Sequence, residues 1–355
     1  RAQHPCLTRG ILALPPLPVH PPRLSLSGAT VDVARLVAGL WGIPCSKVFF
    51  TTSGREANVA ALILATVSRR SNQVLALRNS YHGRSFTTIA ITAQSSWSPT
   101  SVSGLSVNFV HGGYRLRSPF RHLDDEAYTD ACVDDLTQVF DMMTSGDVAA
   151  MIAEPIQGVG GFATPPDGFF GAMKKELDNR GVLFISDEVQ TGWGRTGENF
   201  WGYQAHGMTP DLLTFAKGVG NGLALGGVVA TADLMDSLPG NSLSTFGGNP
   251  MSAVGALATI RYLPTHDIQG PALATAALPA GAPHAAGVQP PALAATRAPG
   301  GCLAGGGNGA LHWRGSSNKA EPVETDAEQH NRFAGSLPPG SILRPHIAGD
   351  MGLIK

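Results

Sequence analysis

The amino-acid sequence predicts an α/β protein built on a mostly parallel β-sheet that helices cover on both faces. Two observations support this fold class. Between about Ala29 and Leu263, short apolar segments of strand length alternate with amphipathic segments of helical length, which is the pattern of a covered parallel sheet. Several of the strand-like segments also run directly into polar clusters. Because ligands of such sheets bind at the carboxyl ends of the strands, these clusters predict where a functional site lies.

The predicted elements follow one another in a regular order. A first helix is predicted for VDVARLVAGLWG and a short strand for KVFFTT, and a long helix then opens on the Ser-Gly pair of SGREANVAALILATVSRR. Next come the strand QVLALRNS, which leads into the loop YHGRS, the helix DLTQVFDMM and the buried strand DVAAMIAEPIQG, which ends in a loop at Glu154. The segment GFFGAMKKELDNRG is a helix closed by Gly181. Two further strands are VLFISDEVQ and DLLTFAKGVGNG, and the second is predicted to end at Lys217.

The length and composition favour a large buried core and argue against nucleic-acid and membrane partners. The chain has 355 residues, of which 43% are hydrophobic and 14% are charged, so two domains are expected rather than one. A formal net charge of -1 offers no basic surface for nucleic acid or an anionic membrane. No apolar run approaches the roughly 20 residues that span a bilayer. The four cysteines lack metal-ligand spacing, so we expect free thiols, no metal and a cytoplasmic protein, with the mitochondrial matrix as the alternative.

The two ends of the chain differ in composition from its middle. Residues 1–27 are rich in proline, and 28 of the 40 residues in 271–310 are Ala, Gly or Pro. Such segments lack the apolar spacing that buries one face of an element. We therefore divide the chain into an irregular segment 1–27, a large domain 28–265 and an atypical segment 266–355. Their bias is that of a GC-rich gene read out of frame, which leads to the hypothesis that both ends are frame-shifted.

Lys217 and Asp187 are the first candidate catalytic residues. Lys217 directly follows the apolar LLTFA, and a desolvated, neutral lysine can form an imine with an aldehyde cofactor. Taken alone, a lysine at a strand end is more commonly a side chain that reaches into solvent. Asp187 ends another apolar strand, where a buried carboxylate needs a partner such as a protonated pyridine nitrogen. Its neighbour Glu188 points to the opposite face and cannot do the same job, and Gln190 is near enough to donate to a phenolic oxygen of the same ring. A structural salt bridge is the alternative for these acids.

Two further segments offer donors for a phosphate group. Ser53, Gly54 and Arg55 follow a strand and open a helix, and the backbone N–H groups at a helix N-terminus bind anions. The later segment STFGGNP adds the hydroxyl groups of Ser244 and Thr245. Neither signal is specific by itself, because many helices open on Ser-Gly.

An aromatic ring that could stack on a cofactor is available at Tyr81, in the segment NSYHGRS. His82 follows it and is included among the cofactor-site residues, although a single histidine is more commonly structural.

Together these segments resemble the class III, or omega, aminotransferases, which are fold-type-I enzymes that depend on pyridoxal phosphate. The resemblance lies in VFFTTSGREAN, NSYHGRSF, AEPIQGVGG, ISDEVQTGWGRTG, FAKGVGNG and STFGGNPM, which occur in the family's order across about residues 29–268. Within the family, FWGYQAHGMTPDLLTFAKGVGNG and TFGGNPM are most similar to the alanine–glyoxylate type-2 group. The resemblance implies a fold-type-I large domain with a mostly parallel sheet, and a small α+β terminal domain that is degenerate here.

The resemblance also assigns roles around the cofactor, pyridoxal 5′-phosphate. Lys217 would hold it as a Schiff base and then move a proton between the substrate's α carbon and the cofactor. Asp187 would pair with the pyridine nitrogen, Gln190 would contact the phenolic oxygen, and Tyr81 would stack on the ring. Glu154 would lie near the substrate.

The phosphate and the subunit interface are assigned in the same way. Gly54 and Arg55 would bind the phosphate through their backbone amides, and Thr245 would reach the phosphate of a neighbouring subunit, which implies a homodimer with shared active sites. Arg55 stands where the family usually has Ser or Thr, so a hydroxyl donor is lost. The family's arginine for the substrate carboxylate has no clear counterpart, since Arg344 is the only late arginine in a suggestive setting.

The expected activity is transamination from alanine or an omega-amino acid to a keto acid such as glyoxylate or pyruvate. Two alternatives stay open. One is another reaction with the same cofactor, such as a decarboxylase or an aminomutase, because a fold does not settle a reaction. The other is a catalytically impaired, frame-shifted member of the family.

Overall fold

Seven strands form one mixed sheet at the centre of the part of the chain that the structure describes. The computed structural model describes residues 27–276, with side chains to residue 274. The strands are β1 (Ser46–Thr51), β2 (Gln73–Leu77), β3 (Ser106–Val110), β4 (Ala150–Ala153), β5 (Leu183–Asp187), β6 (Leu212–Phe215) and β7 (Gly226–Thr231). Their order is β1-β7-β6-β5-β4-β2-β3. Strands β2 to β6 are mutually parallel and only β7 is antiparallel to its neighbours, so the predicted fold class is confirmed.

Helices precede, connect and follow these strands, and several of them begin at a polar capping residue. They are α1 (Gly28–Trp41), α2 (Gly54–Arg69), α3 (Phe86–Ala90), α4 (Asp125–Met143), α5 (Phe169–Asn179), α6 (Ala232–Met235), α7 (Pro250–Thr265) and α8 (Gln269–Ala276). The side chains of Ser27, Ser53, Asp124 and Asn249 accept backbone N–H groups of the first turns of α1, α2, α4 and α7. Such caps satisfy N–H groups that have no partner inside a helix.

Apolar side chains cover the central strands on both faces. Leu75 and Phe184 pack on one face, together with residues of α4 and α5. Val74 and Ile185, which alternate with them along β2 and β5, pack on the other face with residues of α2. Side chains of a strand point alternately to its two faces. Because both faces of these strands are covered, their sequences are apolar at nearly every position.

The prediction for the last strand was wrong in its end point, and the strands β3 and β7 were not predicted. Strand β6 ends at Phe215, before Lys217, because the backbone leaves the sheet at Ala216 (φ -166°, ψ -143°) and turns at Lys217 (φ 45°). Strand β7 begins with two glycines, which are typical of a loop. A Cβ atom at Gly227 would lie 2.7 Å from the ring of Phe215 and 2.8 Å from a backbone oxygen of Phe49, so this strand position requires glycine.

Most of both chain ends lies outside the described residues. This applies to the Pro-rich segment before Ser27 and to most of segment 266–355, which includes Arg344 and the predicted small domain. Helix α8 falls within the predicted segment 266–355 and contacts the large domain, since the side-chain amide of Gln269 donates to the Gly197 carbonyl at 3.2 Å. Across residues 27–276, no helix is long and apolar enough to cross a membrane, and no cluster of metal-ligating side chains occurs.

Candidate active site

The predicted site residues gather at one edge of the sheet. Tyr81 lies in the loop after β2, Glu154 directly follows β4, Asp187 ends β5 and Lys217 follows β6. These four strands are parallel, so their carboxyl ends meet at the same edge, as expected of a ligand site in an α/β sheet.

Asp187 is buried and is held by three hydrogen bonds. Its Oδ2 accepts a bond from the Asn58 side-chain amide at 2.7 Å and lies 2.8 Å from Nδ1 of His82. Its Oδ1 accepts the Val189 N–H at 3.1 Å. Because a carboxylate oxygen accepts only, Nδ1 of His82 carries the proton in this pair. The Nε2 atom of His82 is buried and has no partner among residues 27–276.

Asn58 belongs to the site, although the sequence prediction missed it. Its amide donates to Asp187 and also to the His82 carbonyl at 2.9 Å, while its own oxygen accepts the Thr214 hydroxyl at 2.7 Å. The sequence did contain a signal for it. Asn58 is a polar residue on the helix face that also carries the buried residues Ala57 and Ala61. A buried polar residue on an apolar helix face requires hydrogen-bonding partners.

Glu154 is buried beside Asp187 and holds the loops that follow β2 and β4. Its two oxygens accept the backbone N–H groups of Tyr81 at 2.9 Å and Gly158 at 3.1 Å. Burial raises the pKa of Glu154 to about 7, and the charge of Asp187 adds to this effect, whereas His82 and the two N–H groups oppose it. A carboxyl group with this pKa can exchange a proton near neutral pH.

Lys217 reaches Gln190 with its amine, which donates to the Gln190 side-chain oxygen. Lys217 is exposed to solvent, but nearby protein atoms still desolvate its amine in part. Desolvation therefore lowers the pKa of Lys217, and the nearby charge of Arg195 acts in the same direction, while Asp187 and Glu154 oppose both. The lowered pKa favours the neutral, nucleophilic amine that imine chemistry requires.

The start of α2 offers two free donors to an anion. Ser53 caps the helix, and its side chain accepts the Glu56 N–H at 3.3 Å. The N–H groups of Gly54 and Arg55 have no acceptor among the described residues. The loop after β5 packs closely against this turn, because a Cβ atom at Gly54 would lie 2.7 Å from a methyl carbon of Val189. The geometry suits the predicted phosphate contact through backbone amides.

Ser244 and Thr245 differ in their surroundings. The Ser244 hydroxyl donates to Oε1 of Glu56 at 2.6 Å, so its proton is used within this chain. The other oxygen of Glu56 accepts the N–H and the hydroxyl of Thr52, both at 2.7 Å. Desolvation raises the pKa of Glu56, but these hydrogen bonds and the charge of Arg55 together hold it below its ordinary value. Thr245 is exposed. The phosphate roles of Ser244 and Thr245 stay predictions.

Tyr81 and Glu188 also lie close to the site. The half-buried ring of Tyr81 packs edge-on against Trp97, with the ring centroids 5.6 Å apart. Glu188 is fully buried and accepts the backbone N–H groups of Gly202 and Tyr203, both at 2.8 Å. Glu188 thus braces a loop while Asp187 faces the site, as the alternation along the strand predicts.

The fold is that of the fold-type-I large domain, and the site lies at the sheet edge where such a domain binds a ligand. The chain belongs to the class-III aminotransferase family, whose family model matches residues 25–279. The predicted family is thereby confirmed.

Individual relatives agree with this assignment. The chain is 38% identical over 254 residues to a protein of Arabidopsis thaliana named alanine–glyoxylate aminotransferase 2 homolog 2, mitochondrial, covering 70% of this chain and 51% of that protein. It is 40% identical over 221 residues to the acetylornithine aminotransferase of Corynebacterium efficiens, covering 61% of this chain and 50% of that protein. The chain thus spans about half the length of these curated relatives.

Solved structures show the same fold. An amine transaminase from an uncultivated Pseudomonas species, in its form with bound pyridoxal phosphate, superposes with a TM-score of 0.72 at 25% identity, covering 77% of this chain and 65% of that one. An (S)-enantioselective omega-transaminase from Thermomicrobium roseum gives a TM-score of 0.72 at 28% identity, covering 77% of this chain and 64% of that one.

The residues present fit the cofactor. The free N–H groups of Gly54 and Arg55 suit its phosphate. Oδ1 of Asp187 keeps a lone pair for a protonated ring nitrogen, since within the described part of the chain it accepts a bond only from the Val189 N–H. Lys217 supplies an amine whose lowered pKa suits its aldehyde.

Proposed function

We propose that this chain catalyses transamination, moving an amino group from alanine or an omega-amino acid to a keto acid such as glyoxylate or pyruvate. The observation that carries the proposal is the placement of Lys217, with its lowered pKa, and the buried Asp187 at the ends of the adjacent parallel strands β6 and β5. The names of the curated relatives, which are alanine–glyoxylate and acetylornithine aminotransferases, support the reaction class.

The side chains at the site have different roles in the proposed reaction. When bound, pyridoxal phosphate supplies an aldehyde that captures amines and a ring that withdraws electrons from the substrate's α carbon. Lys217 holds the cofactor and then carries a proton at its Nζ atom. Asp187 keeps a proton on the ring nitrogen, Gln190 contacts the phenolic oxygen and Tyr81 covers the ring. Glu154 lies close to Asp187 and accepts the Tyr81 N–H, and we assign it to the part of the site that contacts the substrate.

The first test is the visible absorption of the purified protein with added pyridoxal phosphate. The wild type should show the yellow band of the lysine-bound cofactor, and Lys217→Ala should lose it. Lys47→Ala serves as the matched control, because Lys47 is exposed and pairs with Asp236 at the surface. A band that survives in Lys217→Ala would refute the role of this lysine.

The second test identifies the reaction. Alanine and several omega-amino acids are incubated with glyoxylate or pyruvate, and all products are quantified. Transamination produces one keto product from the donor for each amino acid formed from the acceptor. Release of carbon dioxide would instead indicate a decarboxylase, and migration of the amino group within one molecule would indicate an aminomutase. A colourless protein without turnover would favour the catalytically impaired alternative.

We also propose a homodimer with shared active sites. Leu243, Phe246 and Met251 flank Thr245 and are exposed apolar residues, as expected of a surface that a second copy covers. The test combines one Lys217→Ala subunit with one Thr245→Val subunit. If each site takes its lysine from one subunit and its threonine from the other, the mixed dimer contains one intact site and recovers activity that neither variant dimer has. An absence of recovery in a verified mixed dimer would exclude sharing.

For the compartment we propose the cytoplasm, with the mitochondrial matrix as the alternative. Two described cysteines, Cys45 and Cys132, are free thiols, which suits a reducing compartment. The mitochondrial designation of the Arabidopsis relative supports the alternative. Fractionation of cells that express the natural gene distinguishes the two.

A further inference from the structure

We propose that Asn58 is a positioning residue that presents one particular oxygen of Asp187, Oδ1, to the pyridine nitrogen of the cofactor. The inference rests on the proposed function in one respect, since it requires that pyridoxal phosphate binds with its ring nitrogen at Asp187.

The two oxygens of Asp187 are occupied unequally. Oδ2 has the Asn58 amide at 2.7 Å and the His82 ring nitrogen at 2.8 Å. A carboxylate oxygen has two lone pairs in its plane, so these two donors use the accepting capacity of Oδ2. Among residues 27–276, Oδ1 accepts a bond only from the Val189 N–H, at 3.1 Å, and keeps one lone pair. The ring nitrogen's proton therefore bonds to Oδ1.

The orientation of the Asn58 amide follows from its partners. Its NH₂ group lies 2.7 Å from the Asp187 carboxylate and 2.9 Å from the His82 carbonyl oxygen, both of which accept only. The amide oxygen must therefore face the Thr214 hydroxyl, 2.7 Å away. Both Asn58 and Thr214 are almost completely buried, so no water competes for these bonds. The NH₂ group and the oxygen of the Asn58 amide are all engaged, which fixes the orientation of the amide.

The network connects the two parts of the site that must stay aligned. Thr214 lies in β6, which leads to Lys217, and Asp187 ends the neighbouring strand β5. Asn58, on α2, bonds to both strands at once. An amide also suits this place chemically, because it donates a hydrogen bond without adding positive charge beside a protonated ring nitrogen. We infer that Asn58 fixes the orientation of the Asp187 carboxylate relative to the pyridine ring of the bound cofactor.

The experiment compares two cofactors in the full-length apoprotein. The first is pyridoxal phosphate, and the second is its 1-deaza analogue, in which a C–H group replaces the ring nitrogen. The variants are Asn58→Leu, which keeps the size of the side chain but removes its hydrogen bonds, and Thr214→Val, which removes only the support of the Asn58 amide. Tyr128→Phe is the matched control, because it loses one buried hydrogen bond, to the Gly112 carbonyl, among residues of α4 and β3. The measurement is the Kd from absorption titration.

Asn58→Leu should weaken pyridoxal phosphate binding about tenfold, as the misdirection of one charge-assisted hydrogen bond implies. Its Kd for the deaza analogue should change less than about twofold, because that ligand makes no bond to Asp187. Thr214→Val should show the same selectivity with a smaller change, and it tests the inference if Asn58→Leu does not fold. Tyr128→Phe should change neither Kd.

Two outcomes overturn the inference. Equal weakening of both cofactors in Asn58→Leu or Thr214→Val would assign Asn58 a merely structural role. Unchanged binding of both cofactors in a folded Asn58→Leu variant would show that Asp187 needs no such support. Failure of the cofactor assignment is distinguishable, because the wild type would then bind neither cofactor at Lys217. A different reaction with the same cofactor would change the products of turnover and leave these Kd values as they are.

Discussion

Replacing Glu154 with glutamine should remove a pH-dependent loss of folding stability. The pKa of the buried carboxyl is raised from its ordinary value of 4.5 to about 7, chiefly by burial. At about 1.4 kcal/mol for each pH unit, this difference corresponds to about 3 kcal/mol of free energy. The native protein bears this cost whenever Glu154 is ionised.

The sign of the effect follows from proton binding. Between pH 4.5 and about 7 the folded protein retains a proton on Glu154 that the unfolded chain has already released. Rising pH therefore favours the unfolded chain across this window. The contribution of Glu154 to stability is fully present below pH 4.5 and is lost as the pH rises through about 7. Glutamine does not titrate and lacks this dependence.

The assay is denaturant unfolding of the wild type and Glu154→Gln apoproteins at intervals from pH 4.5 to pH 8. The free-energy difference between the two proteins should change by about 3 kcal/mol in favour of the variant as the pH rises. The bonds to Tyr81 and Gly158 are altered in the variant, but that loss is the same at every pH. Glu176→Gln, which alters a half-buried carboxylate paired with Arg180, is the control. A difference that stays constant over this pH range would refute the reasoning.

Two other predictions concern the frame around the site. Gly54→Ala should weaken cofactor binding and cost about 1–3 kcal/mol of unfolding free energy, because its Cβ atom would overlap the branched side chain of Val189. The control is Gly39→Ala, which has open space around it and should not destabilise the protein. Equal effects of the two substitutions would contradict the packing argument. Glu188→Gln should cost about 1–3 kcal/mol, because its NH₂ group would face a donor such as the Gly202 N–H, and an unchanged melting temperature would show that this brace is dispensable.

Much of the fold could be predicted because its signals are local. The strand β5 is apolar up to Asp187, and Ser53 caps α2 through a partner three residues away. Such patterns need no knowledge of the rest of the chain. The prediction was wrong at Lys217, where the backbone turns out of the sheet, and β7 was not predicted because Gly226 and Gly227 are typical of loops. Their role is visible only when the neighbouring strands are in place.

The sequence by itself determined the family and most of the central strands and helices, and it predicted Lys217 and Asp187 as the principal site residues. Only the tertiary structure decided how these residues are held. Asn58 bonds to Asp187 across 129 positions of the chain and to Thr214 across 156, and Ser244 bonds to Glu56 across 188. The physical reason is that local patterns encode which residues are buried and where elements end, whereas hydrogen bonds between distant segments depend on how the folded elements pack.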